Sequence, residues 1–411
     1  MDEKQYAELD DLSRSADVRD RKKAAQNHHA PAEILERLSH DESDEVKAWV
    51  AEHRSTPADI LWRLYEENAE FVRWRLARNV TAPAELLMLL SRDEDEGVRW
   101  RLIGNRALPK DALAVLATER DSAWATTIRE FVAKHRLAPQ DTLRLLSNDP
   151  CDDVRAAVAG NRATHPSVLD VLARDNKEKV RYQVALHAHT PLPTLVALAT
   201  DGHSWVRIAV AQHRRTPADV LERLSHDVSE NVRAWVGEHR SAPVDVLWRL
   251  YEENAEGVRY RLAKNVKAPA DLLTLLSHDE DEDVRWNVVN NRALPDEALP
   301  ALATDQGRRR GQDIRSAVAL LDRTPSSVLQ TLATDTSWNV RSSVATRRKV
   351  DLPSLSVLLH DDDAQIRAAA QSTIETAMTE DIEAFVRESQ DVPLDVDLSG
   401  FPREVLLQYL Y

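Results

Sequence analysis

Acids and arginines recur along this 411-residue chain at fixed spacings that could do chemistry. Acids stand at Asp41, Glu67, Asp93, Glu119, Asp149, Asp175, Asp201, Asp227, Glu253, Asp279, Asp305, Asp335 and Asp361. Six residues after each, or ten in two places, comes a base: Lys47, Arg73, Arg99, Arg129, Arg155, Arg181, Arg207, Arg233, Arg259, Arg285, Arg315, Arg341 and Arg367. Unopposed, such a column would be a phosphate-binding stripe. Opposed by carboxylates, the planar guanidinium fork would make bidentate, partly buried pairs. The regularity is too strict for a solvated charge run, so the column reads as an ion-pair ladder inside a stacked fold. It predicts that Asp227 bonds arginines of neighbouring segments or the free amides of a helix end.

Other reactive types give less. His53, His135, His187, His213 and His239 fall at a phase that Asn27, Asn79, Asn105, Asn161, Asn265 and Asn291 share, which points to turn geometry rather than metal ligation. The single cysteine, Cys151, excludes a disulfide framework and Cys-ligated zinc or iron–sulfur centres. With only 9 glycines there is neither a G-x-G-x-x-G nor a G-x-x-x-x-G-K string to cradle phosphates. No Ser/His/Asp or Cys/His constellation assembles from linear spacing. The expectation is no catalytic residue, no metal and no cofactor. Net charge is −15, which works against a general nucleic-acid or anionic-membrane binder. Without an apolar leader or an 18-residue apolar run, a cytoplasmic protein with no membrane partner is expected.

The elements that must position these columns follow from a 26-residue repeat. Turn prolines stand at Pro31, Pro57, Pro83 and Pro109; after a four-residue insertion the phase resumes at Pro139 and His165 and runs to Pro295. A second insertion precedes Pro325, and a last degenerate unit is phased at Asp351. In Val72–Gly97, Val72, Leu76 and Ala77 share one helical face, and Asn79 closes the helix in the left-handed backbone that Asn and His tolerate. Proline then opens a second helix as its first residue, an acid such as Asp59 often follows it, and leucines at its fourth and seventh positions (Leu61, Leu64) face the first helix. Such pairs are too small to fold alone and must stack.

The string Val-Arg-x-x-Val/Leu-Ala-x-Asn/His-Arg-x-x-Pro-x-x-x-Leu-x-x-Leu-Ala/Ser-x-Asp, as in Val154–Asp175, resembles the leucine-rich repeat variant family and, more broadly, HEAT-type repeats. The resemblance implies an all-α, right-handed α-solenoid of about thirteen 26-residue helix-pair repeats with a binding role. It carries no catalytic residues across. Residues 1–20 are expected to be a polar N-terminal cap, 21–372 the solenoid and 373–411 C-terminal cap helices. Within that last segment Thr379–Gln390 reads as an amphipathic helix, 391–400 as linker and Phe401–Tyr411 as a lid helix.

A longer symmetry overlies the short one: Thr56–Thr118 matches Ala242–Thr304 at 44 of 63 positions, so a block of seven units was copied whole with its insertion, at an offset of 186. The block carries large aromatics and arginines that the repeat does not require: Trp49, Trp62, Trp74, Arg75, Trp100 and Arg101, echoed by Trp235, Trp248, Tyr260, Arg261 and Trp286. Either they wedge between turns as outer packing, or they anchor a partner. In the second insertion Arg308, Arg309 and Arg310, between Gly307 and Gly311, read as a mobile loop, with an acidic partner or nucleic acid as the functional alternative. The reading is a non-enzymatic scaffold that binds a protein or peptide along one face. The alternative is a nucleic-acid-binding or HEAT-type base-repair solenoid, kept open by a second arginine column, such as Arg54, Arg106 and Arg136, expected to lie exposed in the inter-helix turns. A structural spacer or self-assembling array is the third.

Overall fold

A computed structural model describes residues 3–349 and 351–388, with side chains described as far as residue 376. Among the described residues every regular element is a helix. The chain divides into two compact units, Met1–Ser241 and Ala242–Tyr411. The break falls where the copied block begins again.

In the first unit the helix Glu3–Arg14 precedes a regular alternation of first and second helices: Asp44–Glu52 with Ala58–Glu66, Glu70–Leu76 with Ala84–Leu90, and so on. The reason is the apolar spacing. The residue before each ladder base (Val46, Val72, Val98, Ile128, Val154, Val180, Val206) is fully buried, as are the paired leucines of the second helices, such as Leu61 and Leu64. Each such side chain contributes about 1.5–3 kcal/mol of burial. The core is therefore a sheet of apolar side chains between two layers of short helices. The second unit repeats this arrangement with Val258, Val284, Ile314 and Val340.

Three local expectations are corrected. The turn prolines are not the first helical residues: Pro31, Pro83 and Pro109 hold extended ψ values as N-caps, and the helices start one residue later. Proline suits this place because its carbonyl accepts the first helical bond while its missing N–H costs nothing. The Asn/His turn residues are extended rather than left-handed, with φ near −70° and ψ 117–129° at Asn27, His53 and His135. Left-handed backbone occurs instead at Asn68 (φ 58°) and Asn254 (φ 55°), the same position in the two copies. Finally, Ala364–Glu388 is one continuous helix, so no separate helix starts at Thr379. The linker 391–400 and the segment Phe401–Tyr411 lie outside the described residues.

Candidate interaction surface

The acid–arginine column forms the expected ladder, with a definite direction. Lys47, Arg73, Arg99, Arg129, Arg155, Arg181, Arg207, Arg259, Arg285, Arg315 and Arg341 each reach forward to the acid of the next helix pair, 20 residues on, whereas Arg367 bonds the carbonyls of Asp361 and Asp362. Arg155 donates Nε and Nη2 to Asp175 at 2.6 and 3.0 Å, and its Nη1 donates to the Asp149 carbonyl at 2.7 Å. Arg181–Asp201 and Arg207–Asp227 repeat this at 2.6 Å, and Asp227 also accepts the Ser229 amide at 2.8 Å. One guanidinium thus ties the acid side chain of the next layer to the acid backbone of its own. Burial pushes the carboxyls of Asp175, Asp201 and Asp227 up, but the arginine fork and the capping amide together hold each below the ordinary carboxylate value. The ladder starts one rung earlier than the sequence suggested, at Arg21–Asp41, 2.6 Å. These arginines are occupied and mostly buried, so they offer no phosphate stripe.

The turn column builds a second ladder that the sequence did not reveal. Asn79 Nδ2 donates to the carbonyls of Ala51 and His53 (2.8 and 3.1 Å), and its Oδ1 accepts the Thr81 amide. His53, His187, His213 and His239 do the same with a ring: Nε2 faces the turn carbonyl of the preceding pair at 2.9–3.2 Å, while Nδ1 accepts an amide two residues on, as from Ser55 at 3.1 Å. That geometry requires the neutral Nε2–H form, and burial lowers the pKa of each. Asn and His interchange because both supply one donor and one acceptor at this reach.

The aromatic and arginine residues separate into two layers. Trp62 and Trp248 lie on second helices, half-buried, each edge-on to its own Tyr65 or Tyr251 at 6.2 Å. They are not part of the other cluster. The remaining residues of the first copy form a row along the first helices. Arg75 lies over Trp49 at 3.8 Å and pairs with Glu52. Arg101 lies over Trp74 at 4.2 Å, and Trp74 Nε1 donates to Asp95. Trp100 stacks on Trp124 (5.2 Å) and meets Phe131 edge-on (5.3 Å). Trp49, Trp74, Arg75, Trp100 and Arg101 are half-buried, whereas Trp124 and Phe131 are 44% and 46% exposed. The sequence reading missed Trp124 and Phe131; the signal was available, since Trp124 sits in the insertion itself.

In the second copy Trp235, which lies in the first unit, and Tyr260, Arg261 and Trp286, which lie in the second, are also half-buried. Tyr260 has Lys264 near its face at 5.5 Å, and Trp286 has Arg310 at 5.4 Å. The arginine run does not project freely. The amides of Arg308, Arg309 and Arg310 donate to the Glu282 carboxylate at 3.0, 2.9 and 2.6 Å, and the guanidinium groups of Arg309 and Arg310 both pair with Asp283. Only Arg308 and Arg309 remain exposed. Elsewhere, Cys151, Asp152 and Asp153 have ligand atoms within 4.8 Å of one another, but Lys179 Nζ already holds both carboxylates at 2.7 and 2.8 Å. Among the described residues no helix is long and apolar enough to cross a membrane.

These helix pairs, tied by carboxylate–arginine and Asn/His rungs, define an all-α helix-pair repeat protein, similar to leucine-rich repeat variant and HEAT-type repeat proteins. The family model of the leucine rich repeat variant matches residues 205–229, one unit of the array. Among solved structures, a leucine-rich repeat variant protein with a novel repetitive motif is 23% identical, covering 64% of this chain and 86% of that one, with a TM-score of 0.35. Importin beta is 13% identical over 89% of this chain and 54% of its own, TM-score 0.31. The Pds5–Scc1 complex gives 13% identity over 91% and 72%, TM-score 0.20. No curated protein matches the sequence.

Proposed function

We propose that this chain is a non-enzymatic interaction protein that holds a protein or peptide partner on the first-helix face between residues 70 and 136. One observation carries the reading. Trp100, Trp124 and Phe131 form an aromatic cluster that the repeat does not need, with two of its members exposed, beside Arg101 on Trp74. Trp and Arg at the centre of a patch are the usual energetic anchors of protein interfaces. The nucleic-acid alternative has less support. The ladder arginines are engaged, and the exposed turn arginines Arg54, Arg106, Arg136 and Arg214 are each followed five residues later by an exposed acid, at Asp59, Asp111, Asp141 and Asp219. A continuous phosphate backbone would meet both signs of charge.

The test is cross-linked capture by the full chain compared with a Trp100→Ala/Trp124→Ala variant of unchanged helical signal. Partners lost only by the variant support the face; identical partners from both would move the interface elsewhere. Capture dominated by nucleic acid, with a steep salt dependence, would favour the alternative.

A further inference from the structure

The turn ladder of the first unit breaks at one rung. His53 bonds to Asn27, Asn79 to His53, Asn105 to Asn79, Asn161 to His135, His187 to Asn161, and so on to His239. Between them, the bond from His135 to Asn105 is missing, because the four-residue insertion that carries Trp124 intervenes between the helices Glu96–Leu102 and Ala125–Lys134. His135 Nδ1 still accepts the Leu137 amide at 3.2 Å, so Nε2 carries the proton. Among the described residues that Nε2–H meets no acceptor.

A groove lies beside the missing rung. Its floor is Ile103 and Gly104, one wall is Phe131 with Trp100 beside it, and His135, Arg106 and Arg136 line its rim. Arg106 and Arg136 are exposed and unpaired, while the nearby Lys134 is tied to Glu130 at 2.5 Å. A donor histidine and two free guanidinium groups therefore converge beside an aromatic wall, on a chain of net charge −15. In the second copy the same positions hold Ala317, Leu320, Leu321 and Asp322 in place of Phe131, Lys134, His135 and Arg136. That copy carries the insertion and keeps Arg292 and Trp286 in place of Arg106 and Trp100, but it has neither the histidine, nor the second arginine, nor the phenylalanine.

We propose that this groove is a docking site for an acidic peptide segment that carries an aromatic or large apolar side chain. Carboxylates of the segment accept from His135 Nε2–H and from Arg106 or Arg136, and the apolar side chain lies against Phe131 and Trp100. The proposal rests on the interaction reading above and specifies its ligand. A short peptide fits better than a nucleic-acid strand because Lys134 is already tied to Glu130, and the exposed Asp111 and Asp141 follow Arg106 and Arg136 respectively by five residues, so the cations do not form a continuous track.

The test uses the full chain and three labelled probes: a peptide of alternating Glu and Phe, its Gln–Phe counterpart, and oligothymidylate. The Glu–Phe peptide should bind, and its affinity should fall with salt. The Gln–Phe peptide should bind at least about tenfold more weakly, the worth of one charge-assisted hydrogen bond. The triple variant Phe131→Ala/His135→Leu/Arg136→Asp should lose a comparable factor. It introduces only residues that the second copy tolerates at the same positions, and Arg136→Gln alone should give a smaller loss in the same direction. Equal binding of the two peptides, or an unaffected triple variant, would overturn the proposal, as would tighter binding of oligothymidylate. If the triple variant binds normally while Trp74→Ala does not, the groove fails but the wider aromatic face stands.

Discussion

The two insertions of the copied block occupy the same phase and solve the same backbone problem with different side chains. In both, a glutamate at the start of the preceding first helix accepts amides of the inserted segment: Glu96 from Ala123 at 2.9 Å, and Glu282 from Arg308, Arg309 and Arg310. In both, the ladder crosses the insertion, as Arg129 and Arg315 donate Nη1 back to the Glu119 and Asp305 carbonyls and pair forward with Asp149 and Asp335, each at 2.6 Å. The outer surface differs. Trp124 stacked on Trp100 becomes Arg310 over Trp286, an aromatic pair replaced by a cation–π contact at the equivalent position. Arg310 is further neutralised by Asp283, where the first copy has Gly97. Duplication preserved the frame; divergence left the first copy with exposed Trp124 and Phe131 and with Arg136, and gave the second a charge cluster of Arg309 and Arg310 on Asp283.

The largest effect should come from the shared frame. Arg129→Ala leaves Asp149 buried without its partner and should cost about 3–5 kcal/mol, with Arg315→Ala close behind. Urea unfolding followed by hydrogen exchange in each unit reads both. A loss under about 0.5 kcal/mol at either position would mean that the ladder is not the common support.

Next comes a pH effect confined to one unit. His53, His135, His187, His213 and His239 are neutral in the fold with pKa values below the ordinary 6.5, because burial disfavours the imidazolium. The unfolded chain then binds more protons, so their contribution is complete above about pH 6.5 and is lost as pH falls through that value toward the folded one. The second unit has Asn265, Asn291, Leu321 and Arg347 at these positions, and none of them titrates there. Between pH 7 and 5 the first unit should lose exchange protection, corrected for intrinsic rate, while the second stays level. At lower pH both should weaken as ladder carboxylates such as Asp175 and Asp361, held below the ordinary value by their arginines against the upward push of burial, are finally protonated. Equal loss in both units between pH 7 and 5 would remove the histidines as the cause.

A smaller difference should separate the two glutamates. Glu282→Gln should speed exchange at the amides of residues 308–310, whereas Glu96→Gln should affect mainly Ala123. The smallest effect is expected from Trp124→Arg, which imports the second copy's solution. It exchanges a stacked pair of about 0.5–1.5 kcal/mol for a cation–π contact of about 0.5–1. The melting temperature should barely move, while partner binding at the aromatic face should fall. A large drop in melting temperature would show that Trp124 is packing rather than surface.

The sequence by itself determined the helix-pair period, the buried valine and leucine positions, the ladder and the internal copy. Each of these is a strict spacing, and burial and ion pairing act on every unit alike, so repetition exposes them. It misplaced what depends on backbone detail: Pro57 as a cap rather than a first helical residue, and Asn68 rather than Asn79 in left-handed backbone. It also read the arginine run as free, because the amide-accepting role of Glu282 arises only when residues 26–28 positions apart are brought together. Only the tertiary structure decided that Trp62 stands apart from Trp49, Trp74 and Trp100, since membership of a layer is not written in spacing. The broken rung at His135 is likewise invisible in the chain. A missing hydrogen bond between neighbouring turns is a matter of distance across the stack, and the four-residue insertion changes that distance without changing the residues at either end.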